Sequence, residues 1–198
     1  VGGNSSLSLM HYTIMFANFL GLQAESESWQ TEARLSNTQT KILCPCPGYD
    51  RHFALCEEFG IEMLTVPLTG HGPDMDQVEA LVKSDPSIKG IWCVPRFSNP
   101  TGEIYSDDTV RRLAELGKIA GKNFYVLWDN AYAVHALRDD AADIANIHAL
   151  SKNAGTENSV IQFGSTSKIT MAGAGIGYLS SGPENTKNFT RHFNKASI

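Results

Sequence analysis

Short β-branched or aromatic runs alternate with helix-length amphipathic segments, which predicts an α/β fold with a mainly parallel central sheet and helices on both faces. Three observations carry this. Six such runs recur along the chain, at 41–44, 62–66, 90–94, 124–128, 160–163 and 176–179. Most neighbouring runs are separated by a segment long enough for a helical crossover, which parallel strands require. The last two runs are joined by a glycine-rich loop alone, so that edge is expected to be antiparallel.

Taken in order, Leu7, Met10, Ile14 and Ala17 recur at helical spacing after a serine-rich stretch, so a capped helix is expected from about Ser6 to Leu22. The polar stretch 25–40 reads as a loop. Helices are expected at 51–59, 75–82, 107–120 and 140–150; in the third, Ser106 or Asp107 precedes the apolar stripe Val110, Leu113, Ala114 and Leu116. The polar stretch 184–198 is helix-like. Neither an internal repeat nor a low-complexity segment is evident.

With 198 residues, 42% hydrophobic and 19% charged, the chain has the apolar content of a globular domain rather than a disordered tail. Its net charge of −5 and lack of a dense Lys/Arg run argue against nucleic acid as a partner. No apolar run approaches the roughly 18 residues that cross a bilayer, and no export signal opens the chain. Cys44, Cys46, Cys56 and Cys93 have neither disulfide-scaffold nor zinc spacing, and the histidines are scattered, so no metal is expected and a reducing cytoplasm fits. The sequons at Asn4 and Asn188 are short enough to arise by chance. A start without Met and a stop inside a helix-like stretch suggest a piece of a longer protein.

Ligands of open α/β sheets sit beyond the carboxyl ends of the strands. There the chain carries Ser98-Asn99-Pro100-Thr101-Gly102, then Asp129-Asn130-Ala131-Tyr132, then Gly164-Ser165-Thr166-Ser167-Lys168 followed by Gly173-Ala174-Gly175-Ile176-Gly177; Gly3-Asn4-Ser5-Ser6 precedes the first helix. Singly these read as turn chemistry, a cap, a solvated lysine and an ordinary helix start. Jointly, in this order, they call for a common explanation.

This set resembles the pyridoxal-phosphate enzymes of aspartate-aminotransferase fold, the class I and II aminotransferases, over most of the chain. It looks most like a bacterial branch grouped with MocR-type sequences, in which aspartate is the leading substrate and a 2-oxo acid such as 2-oxoglutarate the acceptor. The resemblance implies that Lys168 anchors the cofactor covalently and shuttles protons, and that Asp129 pairs with the pyridine nitrogen. It implies that Asn99 and Tyr132 bond the cofactor's 3-oxygen, and that Tyr49, in Pro47-Gly48-Tyr49-Asp50, stacks on its ring. Asn4, Ser5 and Ser6 at a helix start, with Ser165 and Ser167, are implied to hold the phosphate. Residues 1–198 would then be the large cofactor-binding domain of a cytoplasmic homodimer, without the N-terminal arm and the C-terminal small domain that carries the substrate-carboxylate arginine. One departure stands out: where many members have an arginine eight residues after the lysine, this chain has Ile176.

Three other readings compete. Ser165-Thr166-Ser167-Lys168 fits the S-x-x-K nucleophile motif, but the S-D-N and K-T-G partners of that motif are missing from the sequence. Tyr178 stands where a dinucleotide fingerprint needs its third glycine. A non-catalytic sensory domain of a MocR-type regulator would keep the same cofactor residues, and an upstream DNA-binding region would distinguish it.

Overall fold

The computed structural model describes residues 2–23, 26–171 and 173–196. In chain order the elements are α1 (Ser6–Phe19), α2 (Trp29–Ser36), β1 (Lys41–Cys46), α3 (Asp50–Glu58), β2 (Glu62–Pro67), α4 (Met75–Ser84), β3 (Ile88–Cys93), α5 (Asp107–Glu115), β4 (Tyr125–Asp129), α6 (Ile147–Ala154), β5 (Val160–Ser165), β6 (Gly177–Ser181) and α7 (Pro183–Ala196). The six strands form one sheet in the order β2-β1-β3-β4-β5-β6. Every pair is parallel except β5 with β6, which is antiparallel through Ile161↔Ser181 to Ser165↔Gly177. The parallel sheet and its antiparallel edge are as the sequence predicts.

Side chains alternate across a strand, and both faces here are apolar. Ile42, Cys44, Trp92, Tyr125, Leu127, Ile161 and Phe163 meet Leu9, Met10 and Ile14 of α1, Leu55 and Cys56 of α3, and Phe189 of α7 on one face. Leu43, Ile88, Ile91, Cys93, Val126, Trp128 and Val160 meet Met75 and Val78 of α4, Val110 and Leu113 of α5 and Ile147 of α6 on the other. This parity decides the site: Asp129 and Ser165, the last residues of β4 and β5, fall on the face covered by α1 and α3.

Three expectations need correcting. The stretch expected to be a loop contains α2, an eight-residue helix. Its amphipathic signal is weak because Trp29 is its one buried residue; Ser28 caps it by accepting from the Thr31 amide, and Trp29 Nε1–H donates to the Asn123 carbonyl at 2.9 Å. The helix expected at 140–150 lies instead at Ile147–Ala154, where Asn146 accepts from the His148 and Ala149 amides. The helix expected to reach 120 stops at Glu115 and tightens into a 3-10 turn, Leu116–Lys118. There Gly117 passes so close to Ser159 that a Cβ would lie 2.4 Å from its hydroxyl.

Among the described residues no helix is long and apolar enough to cross a membrane, and no group of three or more His, Cys, Asp or Glu side chains is arranged to hold a metal. The cysteines are free thiols. Burial pushes the Cys93 thiol above its ordinary range, and a hydrogen bond with Cys56, then burial, does the same to Cys44.

At the amino ends of β1 and β3, Asp85 accepts from Lys41 Nζ at 2.8 Å and from the Ser87 hydroxyl and amide at 2.6 and 2.9 Å. Burial works to raise the Asp85 carboxyl, but these hydrogen bonds outweigh it and hold it at about 2. A depressed carboxylate adds stability above its unfolded pKa that is lost as the pH falls through the folded one. Asp85→Asn is expected to cost about 1 kcal/mol at neutral pH. In urea melts across pH, its deficit should shrink between about 4 and about 2.

Candidate active site

Strand order reverses between β1 and β3, because the chain leaves β1 for β2 on one side and returns to β3 on the other. Beyond the carboxyl ends of the strands lies a cavity of about 320 Å³, where α/β sheets of this topology bind ligands. Its walls come from Asn4, Ser5, Ser6, Leu7 and Met10 at the start of α1, Tyr49 after β1, Asp129 and Ala131 at the end of β4, and Ser165, Ser167, Lys168 and Gly173 around the loop after β5. A cavity of about 500 Å³ lies at the opposite, amino ends of the strands. Two of its carboxylates are already paired, Glu32 with Lys89 at 2.6 Å and Asp85 with Lys41 at 2.8 Å, whereas the smaller cavity gathers most of the residues singled out from the sequence.

Asp129 is 3% exposed. Its Oδ2 lies 3.0 Å from His52 Nε2, on the first turn of α3, whereas its Oδ1 is buried with no hydrogen-bond partner. With the carboxylate ionised, Oδ2 accepts from Nε2–H and Oδ1 remains an unused acceptor. Tyr49 caps α3 by position alone, and its ring meets His52 edge-on at 5.1 Å. Burial pushes the Tyr49 phenol upward; Lys168 pulls it back, and Asp129 adds to the rise.

Lys168 stands in the turn after β5 with Nζ 3.8 Å from the centroid of the Tyr132 ring, an ammonium–aromatic contact. Tyr132 is thus brought to Lys168 by its ring face, although it is not among the cavity's lining residues. Asn99 is half-buried on the loop after β3 and likewise lies outside that lining.

The other end of the cavity is made of amides and hydroxyls. Asn4 carbonyl oxygen accepts from Ser165 Oγ at 2.9 Å and from Ser167 Oγ, and Asn4 Nδ2 donates to the Gly173 carbonyl at 2.8 Å. Ser165 Oγ also lies 3.0 Å from Ser167 Oγ, so that its one proton is shared between that hydroxyl and the Asn4 carbonyl, and it accepts from the Ser167 amide at 3.1 Å. Gly2 N donates to Gly177 O at 3.0 Å and Gly177 N to Gly3 O at 2.9 Å, so the leader of α1 is laced to β6. Helices α2, α4, α5 and α6 have side-chain caps, whereas α1 and α3, whose amino ends face the cavity, have none. The leading amides of α1 therefore stay available to an anion, whereas in α3 the His52 amide already donates to the Tyr49 carbonyl at 3.1 Å. Ile176 lies outside the lining, with its backbone paired to Thr166. No arginine is among the lining residues.

His52 was not singled out from the sequence, where it is one histidine on an expected helix. The available signal was its place three residues after Tyr49; recognising its partner needed the crossing of α3 over the strand ends.

The aspartate amino-transferase family model matches residues 1–198. The chain is similar to an aspartate aminotransferase of Corynebacterium glutamicum, at 44% identity over 191 residues, or 96% of this chain and 43% of that protein. A crystal structure of an aspartate transaminase from the same species superimposes with a TM-score of 0.91 at 44% identity, covering 100% of this chain and 45% of the other. The HTH-type transcriptional regulator YcxD of Bacillus subtilis is 32% identical over 104 residues, 52% of this chain and 20% of that protein. The chain spans less than half the length of these relatives. Matched by the family model from its first residue to its last, and superimposing on the corynebacterial transaminase, the chain belongs to the aspartate aminotransferase family.

Proposed function

We propose that residues 1–198 are the large, cofactor-binding domain of a pyridoxal-phosphate-dependent aminotransferase that moves an amino group between an amino acid and a 2-oxo acid. The observation that carries this is at Asp129, which lines the cavity and whose Oδ1 is a buried carboxylate oxygen without a donor among the described residues. Leaving such a group unpaired costs about 1–3 kcal/mol, so it is best explained by a donor that arrives with the ligand. A protonated pyridine nitrogen is such a donor. At the other end of the cavity, the uncapped amides of α1 suit a phosphate, joined by the hydroxyls of Ser165 and Ser167 once the phosphate replaces the Asn4 carbonyl as their acceptor, and between them Lys168 offers an amine to a carbonyl carbon.

Pyridoxal phosphate, when bound, supplies an electron sink for the pair left on the substrate's α-carbon as its proton departs. The chain's residues do the rest. Asp129 Oδ1 holds the proton on the ring nitrogen, and His52 fixes the carboxylate through Oδ2. Lys168 Nζ is the amine that would anchor the cofactor and, once released from it, would hold and move the proton of the substrate's α-carbon. The Tyr132 ring keeps Nζ near this path, Tyr49 supplies an aromatic wall, and Asn4, Ser5, Ser6, Ser165 and Ser167 hold the phosphate. We assign Asn99 and the Tyr132 hydroxyl to the cofactor's 3-oxygen. Aspartate with 2-oxoglutarate is the substrate reading, supported by the likeness to the corynebacterial enzyme; a cytoplasmic homodimer goes with the same resemblance. A regulator's sensory domain is the weaker alternative, since that likeness covers about half of the chain.

Pyridoxal phosphate added to the full-length protein, followed by borohydride reduction and peptide mass spectrometry, should give a pyridoxyl adduct at Lys168. Absence of the adduct from folded protein would refute the reading. Lys168→Ala should lose the adduct and lower transamination by roughly 1000-fold or more. In steady-state assays Asp129→Ala should weaken cofactor binding and reduce turnover about 100-fold; unchanged rates would make Asp129 a structural residue only. A Cβ on Gly175 would lie 2.4 Å from the amide and hydroxyl of Ser167. Gly175→Ala should therefore displace the Ser167 turn, costing about 1–3 kcal/mol in thermal melts and raising the cofactor's Kd.

A further inference from the structure

We propose that Trp92 is a positioning residue for this site, fixing the plane of the His52 ring so that Nε2 stays aimed at Asp129 Oδ2 and Oδ1 is left free for the cofactor. The inference rests on the reading of Asp129 as the carboxylate that meets the cofactor.

Trp92 projects from β3 onto the face covered by α3, and its indole lies flat on His52, with ring centroids 4.2 Å apart and planes 8° from parallel. Its Nε1–H donates to Cys56 Sγ at 3.5 Å. His52 and Cys56 are four residues apart in α3, hence neighbours on one side of the helix. One indole therefore bridges a full helical turn, its face against the imidazole and its N–H against the thiol.

That two-point hold matters because an imidazole's second torsion has broad wells. Among the described residues, His52 Nε2 makes the one hydrogen bond that reaches the Asp129 carboxylate. A swing of the imidazole would move that bond and with it the direction of Oδ1. Stacking opposes the swing from the flat side, while Tyr49 meets the ring edge-on. Packing alone does not call for tryptophan here: the other core residues of this face of β1, β3, β4 and β5 include leucine, isoleucine, cysteine and phenylalanine. A buried indole N–H, by contrast, needs a partner, and Cys56 provides it.

The test uses the full-length protein with ¹⁵N-labelled histidine. In cofactor-free protein, Trp92→Leu should shift the His52 ring resonances, and Trp92→Phe, which keeps a flat face, should shift them less. With pyridoxal phosphate followed by absorbance, Trp92→Leu should raise the Kd about tenfold and lower kcat by a similar factor, with the amino-acid KM held; Trp92→Phe should recover most of both. A folded Trp92→Leu with unaltered His52 resonances and unaltered Kd would overturn the proposal. Should that variant fail to fold, Cys56→Ala, which removes the indole's acceptor together with the hydrogen-bond partner of Cys44, must shift the His52 resonances, and no shift would overturn it equally. Wild-type protein that takes up no pyridoxal phosphate would instead refute the reading of the site, leaving the resonances to decide whether Trp92 orients His52.

Discussion

A carboxylate almost wholly withdrawn from water at the end of β4, with one oxygen bonded and the other not, is the constraint around which this end of the molecule is arranged. Burying such a charge is costly unless it is paired. The relief comes from a helix: α3 starts beside β1 and places His52 against Asp129, with β3 supplying the indole beneath it. Three strands and one helix thus serve a single side chain. The parity of β4 makes this workable, since Tyr125, Leu127 and Asp129 share a face. A shift of one residue in that strand would turn the carboxylate toward α4 and α5 instead.

The opposite end of the cavity, where we place the phosphate, meets a different problem, the charge of an anion, without a guanidinium among its lining residues. Where many relatives are expected to carry arginine, Ile176 contributes only its backbone to the turn built by Thr166. The uncapped start of α1 and the hydroxyls of Ser165 and Ser167 remain, donors spread over several weak dipoles rather than one full charge.

Much of this was legible in the sequence for physical reasons. Strand runs buried on both faces read as continuous apolar stretches, and the polar clusters that interrupt them fall at the strand ends, so Asp129, Ser165 and Lys168 could be singled out before any coordinates. Elements whose formation depends on distant partners were not legible. α2 is held by Trp29 reaching the backbone of Asn123, a contact no local pattern announces. α6 starts at the Asn146 cap rather than at the acidic stretch before it. His52 and Trp92 were hidden for the same reason: each looks like ordinary core until the sheet order sets α3 over β3 and β4. Asn99 and Tyr132 mark the reverse case, conspicuous in sequence yet standing just outside the cavity's lining.

The lacing of Asn4 to Ser165 and Ser167, more than 160 positions away along the chain, and of Gly2 and Gly3 to Gly177 also bears on the order in which the molecule is made. Contacts so distant in sequence close a loop that takes in most of the chain, and such closures are slow and entropically expensive. The sheet from β1 to β4 can pair as its strands are synthesised, but the anion-binding end does not exist until β5 and the turn behind it have emerged and met the leader of α1. A nascent chain released early would carry a hydrophobic sheet with an unfinished edge and no ligand to steady it, a species prone to pair with other strands. Competence to bind and escape from aggregation therefore arrive in one late step.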